Sequence, residues 1–173
     1  RPNVGKSTLF NALVGKKKAI VSNVSGVTVD RNYETVKLND ISFNLIDTAG
    51  IIDKALNKNE FTVQTLKAIE EADLVFFVTD YSSGILPYDF ELSSILRKTK
   101  KNVIHLVNKF DVKNNMFSDK EALKIGFKEI VYISSEHKKG FNDIYNSLIK
   151  TENFRYSENI ISSKINNNGE INI

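Results

Sequence analysis

Three runs of nearly continuous apolar residues, Leu74 to Asp80, Val103 to Asn108 and Ile130 to Ile133, constrain this chain more than any other feature. A strand that is apolar on both faces must be covered on both faces, which is the situation of a parallel sheet. Around these runs lie stretches of helix length with apolar residues at helical spacing: Phe61 to Glu71, Pro87 to Lys98 and Phe141 to Lys150. In the last of these, Phe141, Ile144, Tyr145 and Leu148 share one face. Ser118 with Glu121 has the form of a capping box opening a further short helix. The alternation predicts an α/β domain with a mostly parallel central sheet and helices on both faces. Upstream, Glu34 to Leu38 and Ile41 to Ile46 flank Asn39-Asp40 and read as a hairpin, which supplies one antiparallel edge strand. From Thr151 the pattern dissolves into Ser, Asn, Glu and Lys, so residues 1–150 are expected to form the domain and 151–173 a linker or disordered tail.

Composition narrows the function classes. A length of 173 residues suits one domain of this kind. The net charge of +3 is too mild to argue for nucleic-acid binding, and the basic runs Lys16-Lys17-Lys18 and Arg97 to Lys101 read as solvated faces. With no cysteine there is no disulfide framework or thiolate metal site, which fits a reducing cytosol. The longest apolar run, Leu74 to Val78, is far short of a membrane span, so a soluble, cytoplasmic protein is expected.

In open α/β sheets ligands bind at the carboxyl ends of strands, and polar motifs sit at such ends here. Near the start, Arg1-Pro2-Asn3-Val4-Gly5-Lys6-Ser7-Thr8 runs into Leu9-Phe10-Asn11-Ala12-Leu13, a helical stretch whose first turn would offer backbone N–H groups to a phosphate. Gly5 lets the backbone approach the β-phosphate, Lys6 places a charge between the β and γ phosphates, and the Ser7 hydroxyl can ligate magnesium. The chain begins one position after the glycine that opens the full P-loop pattern, and the first strand of the sheet is expected to be missing with it. Taken alone, a Gly-Lys-Ser triplet reads sooner as a helix N-terminus with a solvent lysine than as a phosphate loop.

The other motifs decide between those readings. Asp47-Thr48-Ala49-Gly50 follows the hairpin strand as the magnesium-side carboxylate and γ-phosphate-sensing glycine of a nucleotide switch. Asn108-Lys109-Phe110-Asp111 follows another apolar strand; the Asp111 carboxylate can accept from N1–H and the exocyclic amine of guanine, an arrangement adenine lacks. Polar groups left unpaired by the wrong base make discrimination of ~10⁴ feasible. Ser134-Ser135-Glu136 ends the last strand and could cover the base edge. The order of these motifs predicts a P-loop NTPase that binds GTP through Arg1 to Thr8, Asp47 to Ile51, Asn108, Lys109, Asp111 and Ser134 to Glu136. An ATP-using P-loop enzyme, such as a small kinase, is opposed by Asn108 to Asp111.

From Arg1 to about Lys150 the chain closely resembles the first GTPase domain of the bacterial Der (EngA) family. Beyond the nucleotide motifs, the resemblance is carried by Lys18-Ala19-Ile20-Val21-Ser22, Gly26-Val27-Thr28, Asp30-Arg31-Asn32-Tyr33, Glu70-Glu71-Ala72-Asp73, Gly84 with Pro87 and Asp89, and Ser135-Glu136-His137. MnmE and Era are similar in the phosphate loop but usually lack the Asp-Arg-Asn-Tyr-like stretch. Val29 and Ser135 depart from the family, which usually has arginine and alanine there. The resemblance implies a GTPase acting in assembly of the 50S ribosomal subunit, with a second GTPase domain and a KH-like RNA-binding domain in the full-length protein. It also implies that Ser7 and Thr28 ligate magnesium directly, that Asp47 does so through water, and that Lys6 and Thr28 serve catalysis. Ile51 stands where many small GTPases place a water-orienting glutamine, so slow intrinsic hydrolysis is expected, with potassium at Asn3 as the implied stimulating ion. Without its first strand, the 173-residue polypeptide is expected to fold poorly alone.

Overall fold

The computed structural model describes residues 1–15, 33–46, 66–112 and 119–151. In chain order the elements are α1 (Lys6–Val14), β1 (Tyr33–Leu38), β2 (Ile41–Ile46), β3 (Leu74–Asp80), α2 (Pro87–Lys98), β4 (Asn102–Asn108), α3 (Asp119–Lys124), β5 (Glu129–Tyr132) and α4 (Phe141–Lys150). Residues 66–71, the described part of the helix expected from Phe61 to Glu71, are helical. Ser118 of the expected capping box lies outside the described residues.

β3, β4 and β5 form a parallel three-stranded sheet in that order, with α2 and α3 in the crossovers. The side chains of β4 alternate between two cores, as the period of a strand demands. Ile104 and Leu106 face a core shared with Leu9 and Leu13 of α1, Val36 of β1 and Ile144 and Leu148 of α4. The opposite face meets Leu96 of α2, with Phe77, Ile125 and Phe127. Ala122 of α3 packs on Val107 on that same side of β4. Helices therefore cover both faces, which is why these strands read as continuous apolar runs.

β1 and β2 pair antiparallel from Tyr33↔Ile46 to Leu38↔Ile41, turning at Asn39, whose φ of 55° is a left-handed conformation that asparagine tolerates. The hairpin and the parallel sheet are hydrogen-bonded as two separate groups. They meet through side chains: Leu38, Ile41, Phe43 and Leu45 pack against the core that also takes Leu74, Phe76 and Val78, and the Phe43 and Phe76 rings stand edge to face at 6.5 Å.

His105 is among the polar side chains buried in this frame. His105 on β4 is fully enclosed, lies 5.5 Å from the Phe77 ring and 6.3 Å from the Phe127 ring, and shares a 2.8 Å hydrogen bond between Nε2 and Thr79 Oγ1. Burial pushes its pKa down to about 4, so the imidazole is held neutral.

Candidate nucleotide-binding site

Residues 1–5 bend sharply before α1. Asn3 and Gly5 both have positive φ, 63° and 88°, and Gly5 is the N-cap residue of the helix. The first helical hydrogen bond runs from Leu9 N–H to Gly5 O at 2.9 Å. Val4 is buried, whereas Ser7 and Thr8 stand exposed on the first turn. The Lys6 ammonium donates to Arg1 O at 2.6 Å, so it lies across the loop rather than extending into solvent.

Asn108, at the carboxyl end of β4, joins this loop to the other end of the chain. Its side chain is 2% exposed; Nδ2 donates to Val4 O at 2.9 Å, and Oδ1 accepts from Ser135 N–H at 3.0 Å and Ser135 Oγ at 2.9 Å. The expected phosphate loop, the Asn-Lys-x-Asp segment and the Ser-Ser-Glu segment thus meet at one amide. Gly5 is required here for a second reason beyond its φ: a Cβ at this position would fall inside contact distance of Asn108 Nδ2.

Lys109, with φ 64°, reaches back as well. Its ammonium donates to Asn3 O at 2.8 Å and pairs with Asp80 Oδ2 at 2.7 Å. Asp80 ends β3 and accepts from Ser82 N–H at 2.8 Å and Ser82 Oγ at 2.5 Å. Burial alone would raise the Asp80 pKa, but the hydrogen bonds from Lys109 and Ser82 outweigh it and hold the carboxyl below its ordinary value. Asp80 was absent from the sequence-based site. The signal was present, because it is the polar residue at the end of an apolar strand, the same placement that marked Asn108.

Asp111 projects from the loop after β4, close to His137 Nε2 at 3.4 Å. The Ser134 hydroxyl is the chief cause of a lowered Asp111 pKa, so the carboxylate is ionised, as acceptance from guanine N1–H requires. Ser134 is fixed by reciprocal backbone hydrogen bonds with Lys139, both 3.1 Å, and its hydroxyl accepts from His137 N–H at 3.3 Å. Glu136 is exposed on the same turn. Thr28 and Asp47 to Ile51 lie outside the described residues. Among the described residues no cluster of three or more His, Cys, Asp or Glu side chains forms a metal site of its own.

The family of 50S ribosome-binding GTPases matches residues 1–109. GTPase Der of Rickettsia canadensis is 49% identical over 153 residues, covering 86% of this chain and 33% of the relative. GTPase Der of Geotalea daltonii is 42% identical over 151 residues, covering 86% of this chain and 34% of the relative. The chain thus spans about a third of the length of the curated relatives it matches. Among solved structures, Aquifex aeolicus Era bound to GDP·AlF4− superposes with a TM-score of 0.63 at 28% identity, covering 87% of this chain and 54% of that one. The G domain of the Thermotoga maritima FeoB iron transporter gives a TM-score of 0.63 at 28% identity, covering 86% and 92%. The expected P-loop GTPase fold and the resemblance to a Der GTPase domain are both borne out, and the chain belongs to the 50S ribosome-binding GTPase family.

Proposed function

We propose that residues 1–150 are a GTP-hydrolysing switch domain of a Der-like protein that acts in assembly of the 50S ribosomal subunit in the cytoplasm. In this reading residues 151–173 lead toward a second GTPase domain and a KH-like domain. The single observation that carries the reading is the stitching of the phosphate loop to the base loop, Asn108 to Val4 and Lys109 to Asn3, across 104 and 106 residues of sequence. A nucleotide has its base and phosphates at opposite ends, and this stitching holds the loops for both in one frame.

The GTP phosphates are assigned to the N–H groups at the start of α1, with Lys6 supplying positive charge, and the guanine edge to Asp111. Ser134, Ser135 and Glu136 would close over the base. The Ser7 hydroxyl, exposed on the first turn of α1, is a hard oxygen donor that would hold magnesium together with Thr28 and, through water, Asp47. Magnesium there would neutralise charge on the β and γ phosphates. Ile51 cannot orient water by hydrogen bonding, so turnover is slow unless charge is supplied otherwise, and potassium held by Asn3 is the candidate. GTP hydrolysis by the full-length protein, competed with excess ATP and repeated with Lys6→Ala, tests the reading. ATP that competes as well as GTP would overturn the base assignment, and equal rates in potassium and sodium would overturn the ion.

A further inference from the structure

The Arg1 side chain belongs to none of the contacts described above. Its Nε donates to Asp89 Oδ1 at 3.1 Å, and its Nη2 donates to Ser83 Oγ and Gly84 O, both at 3.0 Å. Asp89 is 1% exposed and the Arg1 side chain 11%. The other Asp89 oxygen accepts Leu86 N–H at 2.9 Å and caps the start of α2, where Pro87 fills the first turn. Gly84, with φ 69°, shapes the turn that presents its carbonyl to Arg1. A buried carboxylate needs a partner for its charge, and Arg1 is the cation in contact with it.

The Arg1 backbone has a separate task, because its carbonyl accepts the Lys6 ammonium at 2.6 Å. The guanidinium therefore ties down the residue that aims Lys6. The same stretch of chain grips the loop a second time: Asp80, at its start, holds Lys109, and Lys109 holds Asn3 O. Residues 80–89 thus brace the loop at Arg1 directly and at Asn3 through one intermediary.

We propose that Arg1 is a positioning residue, which acts on the nucleotide through Asp89 and the Ser83-Gly84 turn rather than as a phosphate ligand. This rests on residues 1–8 being the phosphate loop. The forked geometry explains the residue type: the guanidinium meets Asp89 from Nε and Ser83 and Gly84 from Nη2, whereas the single nitrogen of a lysine could satisfy only part of the set.

The test is a double-mutant cycle on binding of a fluorescent GDP analogue to the full-length protein. Titration of Lys6→Ala serves as the baseline, so that binding elsewhere in the chain is subtracted. Asp89→Asn keeps an acceptor for Leu86 N–H, and with it the cap of α2, but removes the charge that Arg1 meets. Arg1→Ala and Asp89→Asn are each expected to weaken GDP by about tenfold, and the double variant by no more than about tenfold, because both break one contact. Arg1→Lys recovers part of the loss, and hydrogen exchange across residues 87–98 stays as in the parent for Asp89→Asn. A direct phosphate contact would leave Asp89→Asn at parental affinity while Arg1→Ala loses binding, and that overturns the proposal. So would a double variant weakened by the product of the two single effects, or two single variants without effect. If instead Lys6→Ala binds like the parent, the phosphate-loop assignment itself has failed.

Discussion

Gly5→Ala is the perturbation whose size the structure defines best. Gly5 has φ 88°, a region that costs an L-residue roughly 1–2 kcal/mol. The new Cβ would also collide with Asn108 Nδ2, and the Asn108 side chain has little room to retreat because it is 2% exposed. If Asn108 turns away, it forfeits hydrogen bonds to Val4 O, Ser135 N–H and Ser135 Oγ. Each is worth about 1 kcal/mol net, and more where a buried group is left unpaired. If the loop moves instead, only the Val4 bond is lost. The expected total is therefore roughly 2–5 kcal/mol, a large share of the ~5–15 kcal/mol that holds a domain together. Hydrogen exchange of the full-length protein reads it site by site. A loss of about 3 kcal/mol makes the Ser135 amide exchange roughly a hundredfold faster where opening limits exchange. Asn108→Ala removes the collision partner, so the double variant should lose less than the sum of the single losses. Unchanged protection at Ser135 together with unchanged GDP affinity in Gly5→Ala would refute this account of the loop.

Asp111→Asn replaces the proposed acceptor of guanine N1–H with an amide that can donate, and is expected to shift preference from guanine toward xanthine nucleotides; competition binding checks this, and unchanged GTP affinity counts against the assignment. The His105 pKa lies near 4, below its ordinary 6.5, so the unfolded chain takes up the proton first as the pH falls. Its contribution is complete above pH 6.5 and is lost progressively toward pH 4, with roughly 1 kcal/mol of stability lost by pH 5.5. His105→Phe should remove this component of the pH dependence, measured as the difference between parent and variant in exchange of the β4 amides from pH 7 to 5.5. Gly140→Ala, at φ 78° and with the new Cβ against Tyr132 O, should destabilise the α4 start by roughly 2–4 kcal/mol, read as faster exchange of the Ile144 amide.

Most of the frame was legible because its signal is local. α2 and α4 match the periodic segments end for end, and β3 matches its apolar run. β5 begins and ends one residue earlier than its run: Ile133 N–H still bonds Val107 O, but the Ile133 carbonyl is taken by Phe110 N–H and so turns into the base loop. Asn108, Lys109 and Gly5 were named as residues, yet their mutual contacts were not, since a single sequence carries no record of which distant groups meet. The Arg1 pairing with Asp89 was hidden for the same reason, and Arg1 was read with the phosphate ligands only because it adjoins them. His105 was passed over as one polar letter within an apolar run, where period alone cannot reveal a ring packed among rings.

The buried Asn108 amide joins the two halves of the proposed site into a single mechanical unit. A compound that imitates only guanine, or only a diphosphate, would meet a half-site whose shape depends on a strut shared with the other half. Fragments of the two kinds should therefore help each other to bind even when nothing covalent links them, each sparing the other the work of ordering that strut. Inhibitor chemistry directed at this domain would gain more from joining two weak fragments than from perfecting either one.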